Sequence, residues 1–117
     1  MTILLYGLNN CDTCRKARKW LSAKGLAHEF VDYRDFPIPA ETLKAWAAQM
    51  GFANLINKAS TTWKTLPEHR RKPGSDPEYV LLLREYPALL KRPLMVRDGR
   101  IVQGFTHGQY EKEFADV

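Results

Sequence analysis

The sequence predicts an α/β fold, a four-stranded mixed sheet interrupted by a helical insertion. Three observations carry that reading. The first 33 residues run strand, helix, strand; the middle, from about 35 to 88, is broken by prolines and carries helical stripes; the end is a tight hairpin followed by one helix. A strand–helix–strand unit with a short crossover implies a parallel pair of right-handed connection. The order β-α-β, helices, β-β-α is the thioredoxin-like order.

Residues 2–7 are short and apolar, and Gly7-Leu8-Asn9-Asn10 closes them as a turn. Asp12 or Thr13 is placed to cap the next helix, in which Ala17, Trp20 and Leu21 give an inward face before Gly25 ends it near Lys24. His28 to Tyr33 alternates with the aromatic and β-branched content of a strand. Beyond Pro37 and Pro39, Leu43, Trp46, Ala47 and Met50 form one stripe on a helix from Glu41 to Met50, stopped by Gly51. Phe52 to Ile56 reads as a short apolar helical turn. Ser75 or Asp76 caps a further helix from Glu78 to about Tyr86. Pro93 to Arg97 and Arg100 to Gln103 flank Asp98-Gly99, a type I′ turn signal, so they predict a hairpin. Gln109 to Phe114 closes the chain as a helix. Trp20, Trp46 and Trp63 fit helical stripes and are expected in the core. His28 is expected to be structural.

With 117 residues, 44% hydrophobic and 26% charged, the chain has the size and composition of one soluble globular domain, residues 1–117. No apolar stretch is long enough to span a bilayer, and Met1 to Tyr6 lacks the features of a signal peptide. No repeat, zinc finger or helix-turn-helix signature is present. The net charge of +5 favours anionic partners: oxyanions, glutathione carboxylates, acidic protein surfaces or nucleic acid. A pair of cysteines with no other to join fits a reducing compartment, so a cytoplasmic protein is expected; a monomer is expected as well.

That pair, Cys11-Asp12-Thr13-Cys14, lies where a buried strand hands over to a cationic helix. Unpaired N–H groups and the positive dipole end of a helix stabilise a thiolate there, and cations deepen the effect. Arg15 follows Cys14, with Lys16, Arg18 and Lys19 close behind. Cys11, nearer the loop, is the expected nucleophile; Cys14, one turn on, is within reach to resolve a mixed disulfide. Half a zinc site or two inert thiols are the alternatives, but no second ligand pair is present. Asn10, Thr13 and Arg15 complete the candidate contacts beside the thiols.

Arg92-Pro93 is the second candidate site. The residues alone read first as a surface arginine before an edge-strand proline. In this layout, however, Pro93 begins the third strand opposite the first helix's N-terminus, where a cis form would free backbone groups for a bound peptide or thiol. Arg92 would then offer a bidentate anion contact. Lys58, Ser60, Thr61 and Thr62 form a hydroxyl-rich turn that reads equally as an anion site or a helix cap. Arg70-Arg71-Lys72 reads as a solvated loop.

These residues, in order, resemble a known family. Tyr6-Gly7, Cys11 to Leu21, Asp32-Tyr33-Arg34, Thr61-Thr62-Trp63, Pro87 through Leu94, and Gly104-Phe105 are similar to the arsenate reductase (ArsC)/Spx superfamily, most of all its YffB-like branch. The resemblance implies a thioredoxin fold, Cys11 as nucleophile, and Arg92 with Pro93 as the Arg-Pro motif that binds oxyanion or glutathione. It implies no bound cofactor or metal, glutathione as co-substrate, and glutaredoxin as a possible partner. A second family arginine falls at Ala59, with Lys58 adjacent as a substitute lacking the fork, and a third near Gly104-Phe105 has no counterpart. Both departures argue against efficient arsenate reduction. The second cysteine resembles the CxxC of Spx-type regulators, which implies an alternative: a redox-switched protein that binds RNA polymerase.

Overall fold

Strand β1, Ile3–Gly7, alternates so that Ile3, Leu5 and Gly7 are buried while Leu4 and Tyr6 are half-covered. It is the second strand of a sheet ordered β2-β1-β3-β4 in the computed structural model, which describes residues 1–117. Strand β2, Glu29–Asp32, pairs parallel to β1 with Leu5 opposite Phe30 and Gly7 opposite Asp32. Strand β3, Leu94–Arg97, pairs antiparallel on the other side of β1 with Leu5 opposite Met95. Strand β4, Arg100–Gln103, completes the hairpin. Asp98 and Gly99 both adopt positive φ, 49° and 85°, as the predicted turn requires. The sheet is the thioredoxin-like α/β arrangement expected.

Helix α1, Asp12–Ala23, connects the parallel strands and buries Cys14, Ala17, Trp20 and Leu21, the face predicted by their spacing. Ile3, Leu5 and Met95 of the sheet share one core with Ala17, Trp20 and Leu21, and with Tyr110 and Phe114 from the last helix and its end. Trp20 meets Tyr110 edge to face at 5.5 Å. Residues 1–33 and 92–117 form one compact unit around this core, and residues 34–91 form another.

The second unit contains α2 (Ala40–Met50), α3 (Phe52–Leu55), α4 (Thr61–Thr65) and α5 (Asp76–Glu85), with single 3₁₀ turns at Glu68–Arg71 and Pro87–Leu89. Leu43, Trp46, Leu55, Leu82 and Leu89 are buried there, and Phe52 stacks on Tyr79 at 5.3 Å. Helix α6, His107–Glu113, belongs to the first unit and is capped by the Thr106 side chain.

Four local expectations are corrected. Cys11, not Asp12 or Thr13, is the N-cap of α1, because the chain is still extended at Cys11 (φ −105°, ψ 121°) and already helical at Asp12. Trp63 is half-buried rather than core, since α4 is too short to present a full stripe. The Arg70-Arg71-Lys72 stretch is solvated as expected, but Glu68–Arg71 is a 3₁₀ turn rather than an irregular loop, with Arg70 paired to Glu85 at 3.0 Å and Lys72 to Glu68 at 3.1 Å. His28 precedes β2, its ring nitrogen Nδ1 lying 2.9 Å from the Leu26 carbonyl.

Tyr110 carries a prediction. Its ring packs among Trp20, Phe105 and Phe114, but its hydroxyl is buried without a hydrogen-bond partner. A buried unsatisfied hydroxyl costs roughly 1–3 kcal/mol. Tyr110→Phe keeps the ring, so it is expected to raise unfolding stability by about 1 kcal/mol in urea titration. A loss of stability would mean that the hydroxyl is satisfied in solution.

Candidate active site

The loop between β1 and α1 is held from the end of β2. The Asn9 N–H donates to the buried Asp32 carboxylate at 3.0 Å, and the Tyr33 N–H donates to the Gly7 carbonyl at 3.2 Å. The Cys11 N–H then donates to the Leu8 carbonyl at 3.2 Å, and the Arg15 N–H to the Cys11 carbonyl at 3.0 Å, which starts the helix. Asp32 is 5% exposed, the one buried charged side chain of the chain. Sequence reasoning placed Asp32 in a strand and in the Asp32-Tyr33-Arg34 stretch of the family resemblance without giving it a role; an acid ending an apolar strand beside a turn was the available signal.

Cys11 is half-exposed and Cys14 fully buried, and both are free thiols. Cys14 fits because Gly7 lacks a side chain: a Cβ there would lie 2.5 Å from Cys14 Sγ and 3.3 Å from the Phe30 ring. Gly7→Ala must therefore displace Cys14 or the strand. It is expected to destabilise by about 1–3 kcal/mol, the cost of overpacking a tight core. Thermal unfolding checks this, and an unchanged midpoint would show that the helix start yields freely.

The two sulfurs have opposed electrostatics. Burial pushes the Cys11 thiol up, but the Cys14 N–H, the Cys14 thiol and the Arg92 guanidinium together outweigh burial and hold it below the ordinary value. As a thiol, Cys11 makes no full capping hydrogen bond, so the Cys14 N–H acts on it mainly once Sγ is charged. For Cys14, burial dominates and pushes it up to about 12, with the Cys11 charge adding to the effect. One sulfur is poised to ionise and its neighbour to stay protonated and donate a hydrogen bond.

Arg92 comes from the segment entering β3, through a cis Arg92–Pro93 peptide, the form that the layout allowed and the two residues alone did not favour. Pro93 is buried, and its carbonyl accepts from the Gly104 N–H at 2.8 Å. The Arg92 side chain is hydrogen-bonded to both Cys11 and Tyr33. Burial works against its charge, but Tyr33 and Cys11 outweigh burial and leave it more firmly protonated than a free arginine. Tyr33 is 1% exposed, and burial pushes its hydroxyl up to about 12, so it is neutral.

Cys11, Cys14, Arg92 and Pro93 are thus brought together, and Tyr33, which entered above only within the Asp32-Tyr33-Arg34 resemblance, joins them. Arg15 corrects the expectation of a thiolate cation on α1. It is turned outward, paired with Asp12 and reaching the Asn9 carbonyl at 3.4 Å, and its hydrogen bond to Asp12 holds that carboxyl below its usual range. Asn10 is exposed and Thr13 half-buried. Lys58 lies in the second unit, exposed, with its ammonium 5.8 Å from the Trp63 ring centre. The turn around it reads as a cap: Ser60 Oγ accepts from the Trp63 N–H at 3.2 Å and donates to the Asn57 carbonyl at 2.7 Å. No cluster of three His, Cys, Asp or Glu side chains could hold a metal, and no helix is long and apolar enough to cross a membrane.

Comparison with known proteins places this geometry. The ArsC family model matches residues 6–113. The YffB protein has a solved structure that superposes with a TM-score of 0.87, at 34% identity over 95% of this chain and 97% of that one. An arsenate reductase (ArsC) related protein from Brucella melitensis superposes with a TM-score of 0.78, at 38% identity over 97% and 95% of the two chains. The global transcriptional regulator Spx of Enterococcus faecalis is 28% identical over 94% of this chain and 84% of its own.

Proposed function

The chain belongs to the ArsC family, and from that premise we propose that it is a glutathione-dependent thiol reductase with Cys11 as nucleophile. One observation carries the reading. The half-exposed Cys11 sulfur has the Arg92 guanidinium and the Cys14 thiol as hydrogen-bonding neighbours, and both favour its thiolate.

The substrate is a disulfide between glutathione and a second thiol. The Cys11 thiolate attacks the glutathione sulfur, an S–S bond forms at Cys11, and the substrate sulfur leaves as a thiolate that takes a proton from water. Arg92 holds a glutathione carboxylate during this step as a two-point partner. The adduct is then resolved by a second thiol. If Cys14 attacks, its proton passes to the departing glutathione sulfur and a Cys11–Cys14 disulfide forms, which two further glutathione molecules reduce while becoming oxidised glutathione. If glutathione attacks directly, oxidised glutathione leaves in one step. Burial keeps the Cys14 thiol protonated, which favours the direct route. The reading requires no metal or nucleotide. Arsenate is the second candidate substrate, disfavoured by Ala59 where an anion-binding arginine would stand.

The test is turnover of a glutathionylated peptide and of arsenate with glutathione, with and without glutaredoxin. Glutathione-dependent turnover of the peptide supports a reductase. The likeness to Spx supports a second reading, a Cys11–Cys14 switch that alters binding to RNA polymerase. Absence of turnover on both substrates, with oxidation changing capture of purified RNA polymerase, would replace the first reading by the second.

A further inference from the structure

We infer that Tyr33 is a positioning residue for Arg92, a buried neutral acceptor that orients the guanidinium toward Cys11 and leaves its charge available. The inference rests on the thiolate chemistry proposed above and assigns the part that aims the arginine.

Arginine has several rotatable bonds, and one hydrogen bond to an exposed sulfur would not hold a guanidinium in place. Here the same side chain is hydrogen-bonded to Tyr33 as well as to Cys11. Tyr33 is well suited as the fixed end. It is almost fully buried, it follows the last residue of β2, and its own N–H is bound to the Gly7 carbonyl at 3.2 Å. The Tyr33 backbone is therefore tied to the end of β1, and its buried ring leaves from the same strand ends that hold the Cys11 loop.

The choice of side chain has a chemical consequence. A carboxylate in this position would orient Arg92 equally well but form an ion pair with it, cancelling most of its field at Cys11. A phenol accepts the same hydrogen bond while remaining uncharged. The neighbouring carboxylate, Asp32, is directed to the Asn9 N–H. Tyr33 is flanked electrically by Arg92, Cys14 and Cys11, with Arg92 the one it hydrogen-bonds.

Tyr33→Phe and Arg92→Gln, singly and together, test the assignment. The readouts are the pH profile of Cys11 alkylation by iodoacetamide, followed by mass spectrometry, and the split of kcat and KM on a glutathionylated peptide. Tyr33→Phe is expected to slow alkylation near neutral pH by about threefold, the effect of roughly half a pKa unit, and to raise KM more than it lowers kcat. The double variant is expected to match Arg92→Gln alone, because the hydroxyl acts through the arginine. A Tyr33→Phe profile that superposes on wild type, or additive effects in the double variant, overturns the inference while leaving the reductase reading intact. If Arg92→Gln also leaves the profile unmoved, the reading of the site falls with it. Should Tyr33→Phe not fold, Tyr33→His retains a neutral acceptor on a ring. It is expected to shift the profile less than Arg92→Gln does, and an equal shift overturns the inference.

Discussion

Cys11→Ser is expected to abolish reduction of a glutathionylated peptide, by about 10³-fold or more. A serine hydroxyl at this position remains protonated at neutral pH and is a poor nucleophile toward sulfur, whereas the thiol is held below its ordinary pKa by the Cys14 and Arg92 contacts. The neighbouring substitution should behave differently. Cys14→Ser removes a buried thiol that is pushed up to about 12 and that the direct route does not use, so turnover with glutathione is expected to survive, and with oxidised glutathione alone the Cys11–glutathione adduct forms and persists. Intact-protein mass spectrometry after exposure to oxidised glutathione reads both results: one glutathione on Cys14→Ser, none on Cys11→Ser. Adduct formation at Cys14 in the Cys11→Ser variant, with activity retained, would reverse the roles of the two sulfurs.

Arg92→Gln should be the next most damaging change, lowering kcat/KM for the glutathionylated peptide by about 10²-fold, or roughly 3 kcal/mol of transition-state stabilisation. Two effects combine. The substrate loses its charge-assisted carboxylate contact, and the Cys11 thiolate loses the cation hydrogen-bonded to it. The pH dependence separates them. Thiolate reactivity rises through the thiol pKa, so a sulfur held low reaches its plateau early, and removing Arg92 must move that rise to higher pH. Arg92→Lys restores a charge without the fork and is expected to recover the alkylation profile more fully than KM. If Arg92→Gln raised KM with an unmoved alkylation profile, the arginine would serve substrate binding alone.

The elements of the fold were legible because each carries its own local signal. Apolar alternation in Ile3–Gly7, the i, i+3, i+4 face of Ala17, Trp20 and Leu21, and the Asp98-Gly99 turn all act over a few residues. The Cys11–Cys14 pair and Arg92-Pro93 were also legible, the first from its place between strand and helix, the second from the order of elements. Arg92 was expected over the thiolate, but the cations of α1 were expected to share that task, and Arg15 does not. Arg15 is one residue from Cys14, but successive side chains on a helix point about 100° apart, and Arg15 turns outward to Asp12. Arg92, remote in the chain, is the cation that reaches Cys11.

Gly7, Asp32 and Tyr33 explain why the rest was hidden. Each acts on a partner distant in the chain: Gly7 by leaving room for Cys14, Asp32 by holding Asn9, Tyr33 by holding Arg92. The sequence by itself determined the strands and helices, the paired thiols and the family to which they belong, because hydrophobic periodicity, turn chemistry and contiguous motifs are local properties. The choice of Cys11 over Cys14 was already legible from its place nearer the loop; only the tertiary structure decided which groups favour its thiolate. A pKa is set by the charges and hydrogen bonds within a few ångströms, and those come from β1, β2, α1 and the approach to β3, whose side chains meet only when the sheet has assembled.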